Sequence, residues 1–144
     1  MAVKSARRRS REFALQGIYS WLLARGSALQ AQSQFKEAKG FDKVDSEFFE
    51  RLVVGVIGSA EDIEAVLQPA LDRKSDELSP VEHAVLMMAI FELQEFPEVP
   101  YRVVINEAIE LAKSYGGTDG YKYVNGVLDK IARRMRPDEA KARN

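Results

Sequence analysis

Apolar residues recur at helical spacing along almost the whole chain, and nowhere do they alternate as in a half-buried strand. From residue 6, ARRRSREFALQGIYSWLLAR sets Ala14, Ile18, Trp21 and Leu22 on one stripe, widened by Leu15 and Tyr19. A first helix is predicted there, stopped by Gly26, with residues 1–5 loose before it. Residues 28–38 give a weaker second helix with Leu29 and Phe35, and 39–44 read as a loop. Asp45 or Ser46 caps a third, whose apolar side runs from Phe48 to Leu67. Gly55 and Gly58 weaken it, and Pro69 kinks or ends it. A polar link, DRKSDEL, follows at 72–78.

Residues 78–96, LSPVEHAVLMMAIFELQEF, carry the strongest pattern. Ser79, Pro80 and Glu82 make a helix start with a capping box. The apolar positions after them cover more than one stripe, so this helix is predicted to be buried and surrounded by others. After a two-proline connector, Val104, Ala108, Leu111 and Tyr115 line a helix over 101–115 that Gly116 and Gly117 end. Thr118 or Asp119 caps the last, with Val124, Val127, Leu128, Ile131 and Met135 as its stripe. The expectation is one all-α domain of six or seven helices around a buried central helix. Its halves fall at about 1–72 and 78–136, and 137–144 form a mobile tail.

Composition narrows the chemistry. The 144 residues contain no cysteine and one histidine, which excludes disulfides and thiolate zinc sites and leaves His83 alone for any triad. There is no GxxxxGK[ST], GxGxxG or GxSxG, and the carboxylates sit at solvent-face spacing, so the chain does not read as an enzyme. His83, just after the capping Glu82, reads as a cap or surface residue. No apolar run approaches the roughly 20 residues that span a bilayer, and the basic start lacks a signal core, so a cytoplasmic protein is expected.

The net charge of −1 hides two basic ends on an acidic body. Residues 1–12 hold Lys4, Arg7, Arg8, Arg9 and Arg11 against Glu12, a net of +4. Residues 130–144 carry another +4, which leaves −9 between them. Clustered arginine on the first turns of an anchored helix suits nucleic-acid phosphates, and an Arg8–Glu12 pair would steady it. The C-terminal cluster reads as a charged, fraying end. In PYRVVINEAIELAKSYGGTDGYKYVNGVL, at 100–128, Asn106 and Asn125 interrupt apolar faces and read as buried amides, with Gly126 letting helices approach closely. The GGTDGYKY turn sets two tyrosines beside Lys122, which suits base stacking and phosphate contact. Periodicity alone fits Tyr121 and Tyr123 equally well as half-buried caps over the core.

RRRSREFALQGIYSW, LSPVEHAVLMMAIFEL, VPYRVVINEAIELAKSYGG and VNGVLDKIA together resemble the NusB family of bacterial transcription antitermination factors, over nearly the whole length. The resemblance implies two small helical bundles, no catalysis and no cofactor. It implies two partners, the boxA single-stranded RNA of rRNA transcripts and the ribosomal protein NusE, within the RNA polymerase antitermination complex with other Nus factors. It carries RNA binding to Arg7, Arg8 and Arg9, which Lys4 adjoins, and to Asp119 and Tyr123, with Lys122 between them. It carries the protein partner to Tyr19 and Glu82, although Glu82 has a rival role in the capping box. Three departures stand out: Gly120 replaces a common serine, Tyr123 replaces a phenylalanine and keeps a ring for stacking, and Met87 stands where a basic residue is frequent. Two other readings stay open, the NusB-like module of an rRNA cytosine methyltransferase and a purely structural helical scaffold. A homodimer through the acidic helices is also open.

Overall fold

The computed structural model describes residues 4–142. Among them are eight α-helices and no strand. The chain divides into two compact units, Met1–Ser59 and Ala60–Asn144.

The first unit holds α1 (Ala6–Ala24), α2 (Ala28–Ser33) and α3 (Ser46–Gly58), which pack against one another. Each start is capped by an oxygen side chain. Ser5 accepts the Arg8 N–H at 3.0 Å and Asp45 accepts the Phe48 N–H at 3.1 Å. Ser27 accepts from Gln30, whose carboxamide returns a bond to the Ser27 N–H, closing a capping box. α1 stops where Arg25 and Gly26 both take positive φ, 61° and 93°. α2 is shorter than its apolar pattern predicts. The chain after it runs in turns and a 3-10 turn at Phe41–Lys43. That path brings Phe41, expected in a loop, to 5.2 Å from the Phe13 ring and 5.0 Å from Phe49, both edge-on. Phe35 completes the cluster at 5.6 Å from Phe13. Edge-to-face rings add stabilisation beyond the area they bury. Ser10 is fully buried, and its Oγ accepts the Asp45 N–H at 2.9 Å, fixing α1 to the start of α3.

The second unit holds α4 (Ala60–Leu67), α5 (Pro80–Glu95), α6 (Tyr101–Tyr115), α7 (Gly120–Met135) and α8 (Pro137–Ala142). The long third helix read from the apolar pattern is two helices, broken at Ser59. There the Gly55 carbonyl takes the Ser59 N–H at 3.0 Å, after a Gly58 with no side chain to pack. The 72–78 link lies inside the second unit and contains a 3-10 turn at Ser75–Glu77. α5 packs against α4, α6 and α7. Every residue from 84 to 93 is buried, as an all-round apolar helix requires. Only half of the expected capping box forms. Ser79 Oγ accepts the Glu82 N–H at 3.2 Å, but the Glu82 carboxylate takes the Ser79 hydroxyl, at 2.8 Å, rather than a backbone N–H. His83, read as a cap or surface residue, is half-buried and bonds through Nε2 to Glu64, tying α5 to α4.

The largest departure is at the C-terminal end. Residues 137–142, expected within a mobile tail, form α8, and only 143–144 of that tail lie outside the described residues. Arg136, counted in the basic end, is buried at 8% exposure. Its Nη2 donates to Phe96 O at 2.9 Å and Leu93 O at 3.2 Å, its Nε to Leu93 O at 3.3 Å, and its Nη1 to Val99 O. Glu139 balances the charge at 2.9 Å and accepts the Tyr101 N–H at 2.9 Å. One guanidinium thus takes the Leu93 carbonyl in the last turn of α5 and those of Phe96 and Val99 just beyond it.

Arg136→Leu should cost roughly 2–4 kcal/mol, because it strands several buried carbonyls at once. Thermal denaturation followed by circular dichroism measures this, and a loss within about 0.5 kcal/mol, the range of neutral surface changes, would deny the cap its role. A second expectation concerns acid. Burial pushes the Glu139 carboxyl up, but the Tyr101 N–H and the Arg136 guanidinium outweigh it and hold the group below its ordinary 4.5. A group lowered on folding adds stability above its unfolded value and loses it as pH falls through its folded one. The melting-temperature gap between wild type and Glu139→Gln should therefore be full at about pH 6 and narrow below about pH 4.5. A gap constant across that range would mean the carboxylate makes no such contribution.

Candidate nucleic-acid interface

The candidate residues fall in both units. In the first, the Ser5 cap starts α1 so that its opening turns carry the arginines. Lys4 Nζ is 2.7 Å from the Glu12 carboxylate. Arg7 is shared, with its guanidinium carbon 4.3 Å from the Phe48 ring centroid and its Nε 3.7 Å from Asp45. Arg11, one turn on, lies over the same ring at 5.1 Å and is buried at 4% exposure. The i,i+4 spacing of Arg7 and Arg11 is legible in the sequence; the ring they share is not. Arg8 is exposed, and Arg9 is half-buried beside Gly40, whose φ of 90° favours glycine. Arg11 thus belongs to the core, whereas Lys4 and Arg8 are exposed and Arg7 and Arg9 half-buried. Tyr19 is half-buried on α1.

In the second unit the GGTDGYKY turn joins α6 to α7. Gly116 closes α6 with its N–H 2.8 Å from Ala112 O, and a Cβ there would stand 2.7 Å from that carbonyl. Asp119 holds the N-cap position of α7, but its carboxylate makes no capping bond and instead pairs with Lys122 at 3.3 Å. Both side chains are largely exposed. Gly120 rests on the start of α5, where an added Cβ would lie 2.8 Å from Glu82 Oε2. Glu82, Asp119, Lys122 and Tyr123 are therefore brought to one place. Lys113 lies over the Tyr121 ring at 4.9 Å.

Tyr123 is half-buried and held by residues 51 positions earlier. Its hydroxyl donates to Asp72 Oδ1 at 2.8 Å. Arg73 lies over its ring at 4.5 Å and donates from Nε to the same carboxylate at 2.7 Å. The Arg73 bond, then the Tyr123 bond, pull the Asp72 carboxyl down to about 2. Burial and the bond to Asp72 push the Tyr123 phenol up. Nothing in the polar DRKSDEL link singles out Asp72 and Arg73, because the partner that gives them a role is distant in sequence.

Asn106 and Asn125 are not buried amides. Both are exposed and line an open groove of about 970 Å3 between α6 and α7, with Arg102, Gly126, Asp129 and Arg133. A Cβ at Gly126 would meet nothing within 4 Å, so close helix packing does not explain that glycine. Met87 is buried at 1% exposure within α5, so it offers no surface contact there. Among the described residues no group of His, Asp and Glu could hold a metal, and no helix is long and apolar enough to cross a membrane.

Comparison with known proteins gives one answer. The NusB family matches residues 8–133. The transcription antitermination protein NusB of Paraburkholderia phymatum is 55% identical over 140 residues, 97% of each chain. That of Burkholderia cenocepacia strain HI2424 is also 55% identical over 97% of each. Among solved structures, NusB of T. maritima superposes with a TM-score of 0.82 at 27% identity, over 96% of this chain and 99% of that one. The antitermination factor NusB, solved with NusE and dsRNA, superposes at 0.76 with 25% identity, over 88% and 96%. With the family matched over most of its length and relatives identical at more than half of their positions, the chain belongs to the NusB family.

Proposed function

We propose that this chain is an RNA-binding adaptor of transcription antitermination. It takes the single-stranded boxA RNA of rRNA transcripts together with NusE, and joins the RNA polymerase antitermination complex with other Nus factors in the cytoplasm. The observation that carries the RNA and NusE partners of this reading is its likeness, over 96% of that chain, to a NusB solved with NusE and dsRNA. The chain is also 55% identical to a relative named as an antitermination protein, which favours an adaptor over the targeting module of a methyltransferase. A bare scaffold would not need the arginines held out on α1.

In this reading Lys4, Arg7, Arg8 and Arg9 meet phosphates, and preorganisation by Ser5, Phe48 and Asp45 lowers the entropy lost on binding. Lys122 adds a cation at the turn. Asp119, which spends no bond on capping, has its carboxylate available to accept from base amino or imino groups, so it serves discrimination more than affinity. Tyr123 anchors the stacking surface. Tyr19 and Glu82 serve the protein partner.

Titrating boxA single-stranded RNA with the chain, alone and with NusE, tests the reading; a duplex RNA of equal length and a scrambled strand are the controls. Affinity should fall with salt at a log–log slope of roughly −0.7 per phosphate neutralised, and reversing the charge of Arg8 and Arg9 together should flatten it by roughly 1.4. An unchanged slope would make the cluster a solubilising end only. Tyr123→Ala should cost about 1–3 kcal/mol of RNA binding, the usual size for one stacked base. Full binding by that variant would remove the turn from the RNA site.

A further inference from the structure

The cation over Tyr123 changes which surface the turn offers. Arg73 belongs to no motif and comes from the link before α5. Its guanidinium carbon stands 4.5 Å from the Tyr123 ring centroid. Asp72 grips it along one edge, with Nε at 2.7 Å from Oδ1 and Nη2 at 3.4 Å from Oδ2. The same Oδ1 accepts the Tyr123 hydroxyl at 2.8 Å. One carboxylate thus holds both the ring's hydroxyl and the guanidinium that lies over the ring. The Arg73 side chain nevertheless remains 45% exposed. A planar guanidinium layered on a ring is a stacking surface for a nucleobase, and a compact ammonium is not. A base seeking the covered face of Tyr123 would first have to displace a cation–π contact and two hydrogen bonds.

We propose that Arg73 is an RNA-binding residue whose guanidinium, stacked on Tyr123 and clamped by Asp72, is the plane on which a base of the bound RNA stacks. This rests on the reading of the GGTDGYKY turn as part of the RNA site. The Asp72 carboxyl, held down to about 2 chiefly by Arg73, stays ionised at neutral pH and keeps the clamp closed. It also offsets the charge of Arg73, so the contribution of Arg73 is its plane rather than a net positive charge. That separates Arg73 from the α1 cations, whose role is phosphate neutralisation.

The test is equilibrium binding of fluorescent boxA single-stranded RNA to the full chain across a salt series. Wild type, Arg73→Lys, Arg73→Ala and Tyr123→Ala are compared, with circular dichroism to check folding. Arg73→Ala should weaken binding about tenfold, within the range for loss of one stacked base. Arg73→Lys keeps the charge and loses the plane, so it should lose nearly as much while its salt slope stays that of wild type. Tyr123→Ala should lose at least as much as Arg73→Ala, because it removes the layer beneath. Wild-type affinity for Arg73→Lys would overturn the proposal in favour of a charge contact. Unchanged or tighter binding by Arg73→Ala would overturn it in favour of a lid over Tyr123. Both outcomes leave the RNA site standing if Tyr123→Ala is weak. If Tyr123→Ala binds like wild type, the turn is not the RNA site and the proposal falls with that reading.

Discussion

A helix buried along its length cannot leave its end groups to water, and α5 meets that constraint with side chains from elsewhere in its unit. Its interior residues 84–93 are all buried, and so are Phe96 and Val99 just beyond its end, so the carbonyls of Leu93, Phe96 and Val99 need partners within the unit. Each would cost about 1–3 kcal/mol if left without a partner. Arg136 reaches Leu93, Phe96 and Val99 at once, a task suited to the five donors of a planar guanidinium. Glu139 makes the buried charge tolerable by pairing with it. Because Arg136 directly follows α7, the cap also fixes where α7 sits against α5. A 16-residue helix is a rod of about 24 Å, so pinning its end constrains the turn at its start.

The start of α7 is pinned by the same helix from its other end. Gly120 lies against the Glu82 carboxylate so closely that an added Cβ would push that side chain aside. Glu82 therefore does two local things, accepting the Ser79 hydroxyl and flooring the turn. A residue so placed links whatever touches the start of α5 to the geometry of Asp119 and Lys122.

Legibility followed distance along the chain. The helix at 80–95 was plain because Ser79, Pro80 and the run after them are local signals, and the all-round apolarity states burial without naming a partner. The split at Ser59 was only half legible: Gly55 and Gly58 announce weakness, but the choice between a bend and a break is made by packing. Phe41 looked like loop because its value lies in rings brought from α1 and α3. Arg136 was misread for the same reason, since a cation among cations reads as a charged end until the carbonyls it serves are in place. In the interface the arginines and GGTDGYKY were visible as composition, whereas the Asp72–Arg73–Tyr123 cluster spans 51 positions and left no local trace. Asn106 and Asn125 erred the other way: polar residues on an apolar face suggest buried amides, yet these line an open groove.

Charge at the interface is organised in a way that bears on selectivity. Lys4 meets Glu12, Arg7 meets Asp45, Lys122 meets Asp119 and Arg73 meets Asp72. Exposed pairs of this kind are worth about 0–1 kcal/mol, so a phosphate that also releases counterions can displace the carboxylate at little cost. Until then each carboxylate holds its cation in place and lowers the potential seen by unrelated anions. On a chain with a net charge of −1, attraction at a distance is correspondingly weak. Affinity must then come from contacts that need a matching shape as well as charge. Base stacking and base-edge hydrogen bonds are such contacts, and in the proposed reading they concentrate where the turn presents Asp119 beside Tyr123 and Arg73.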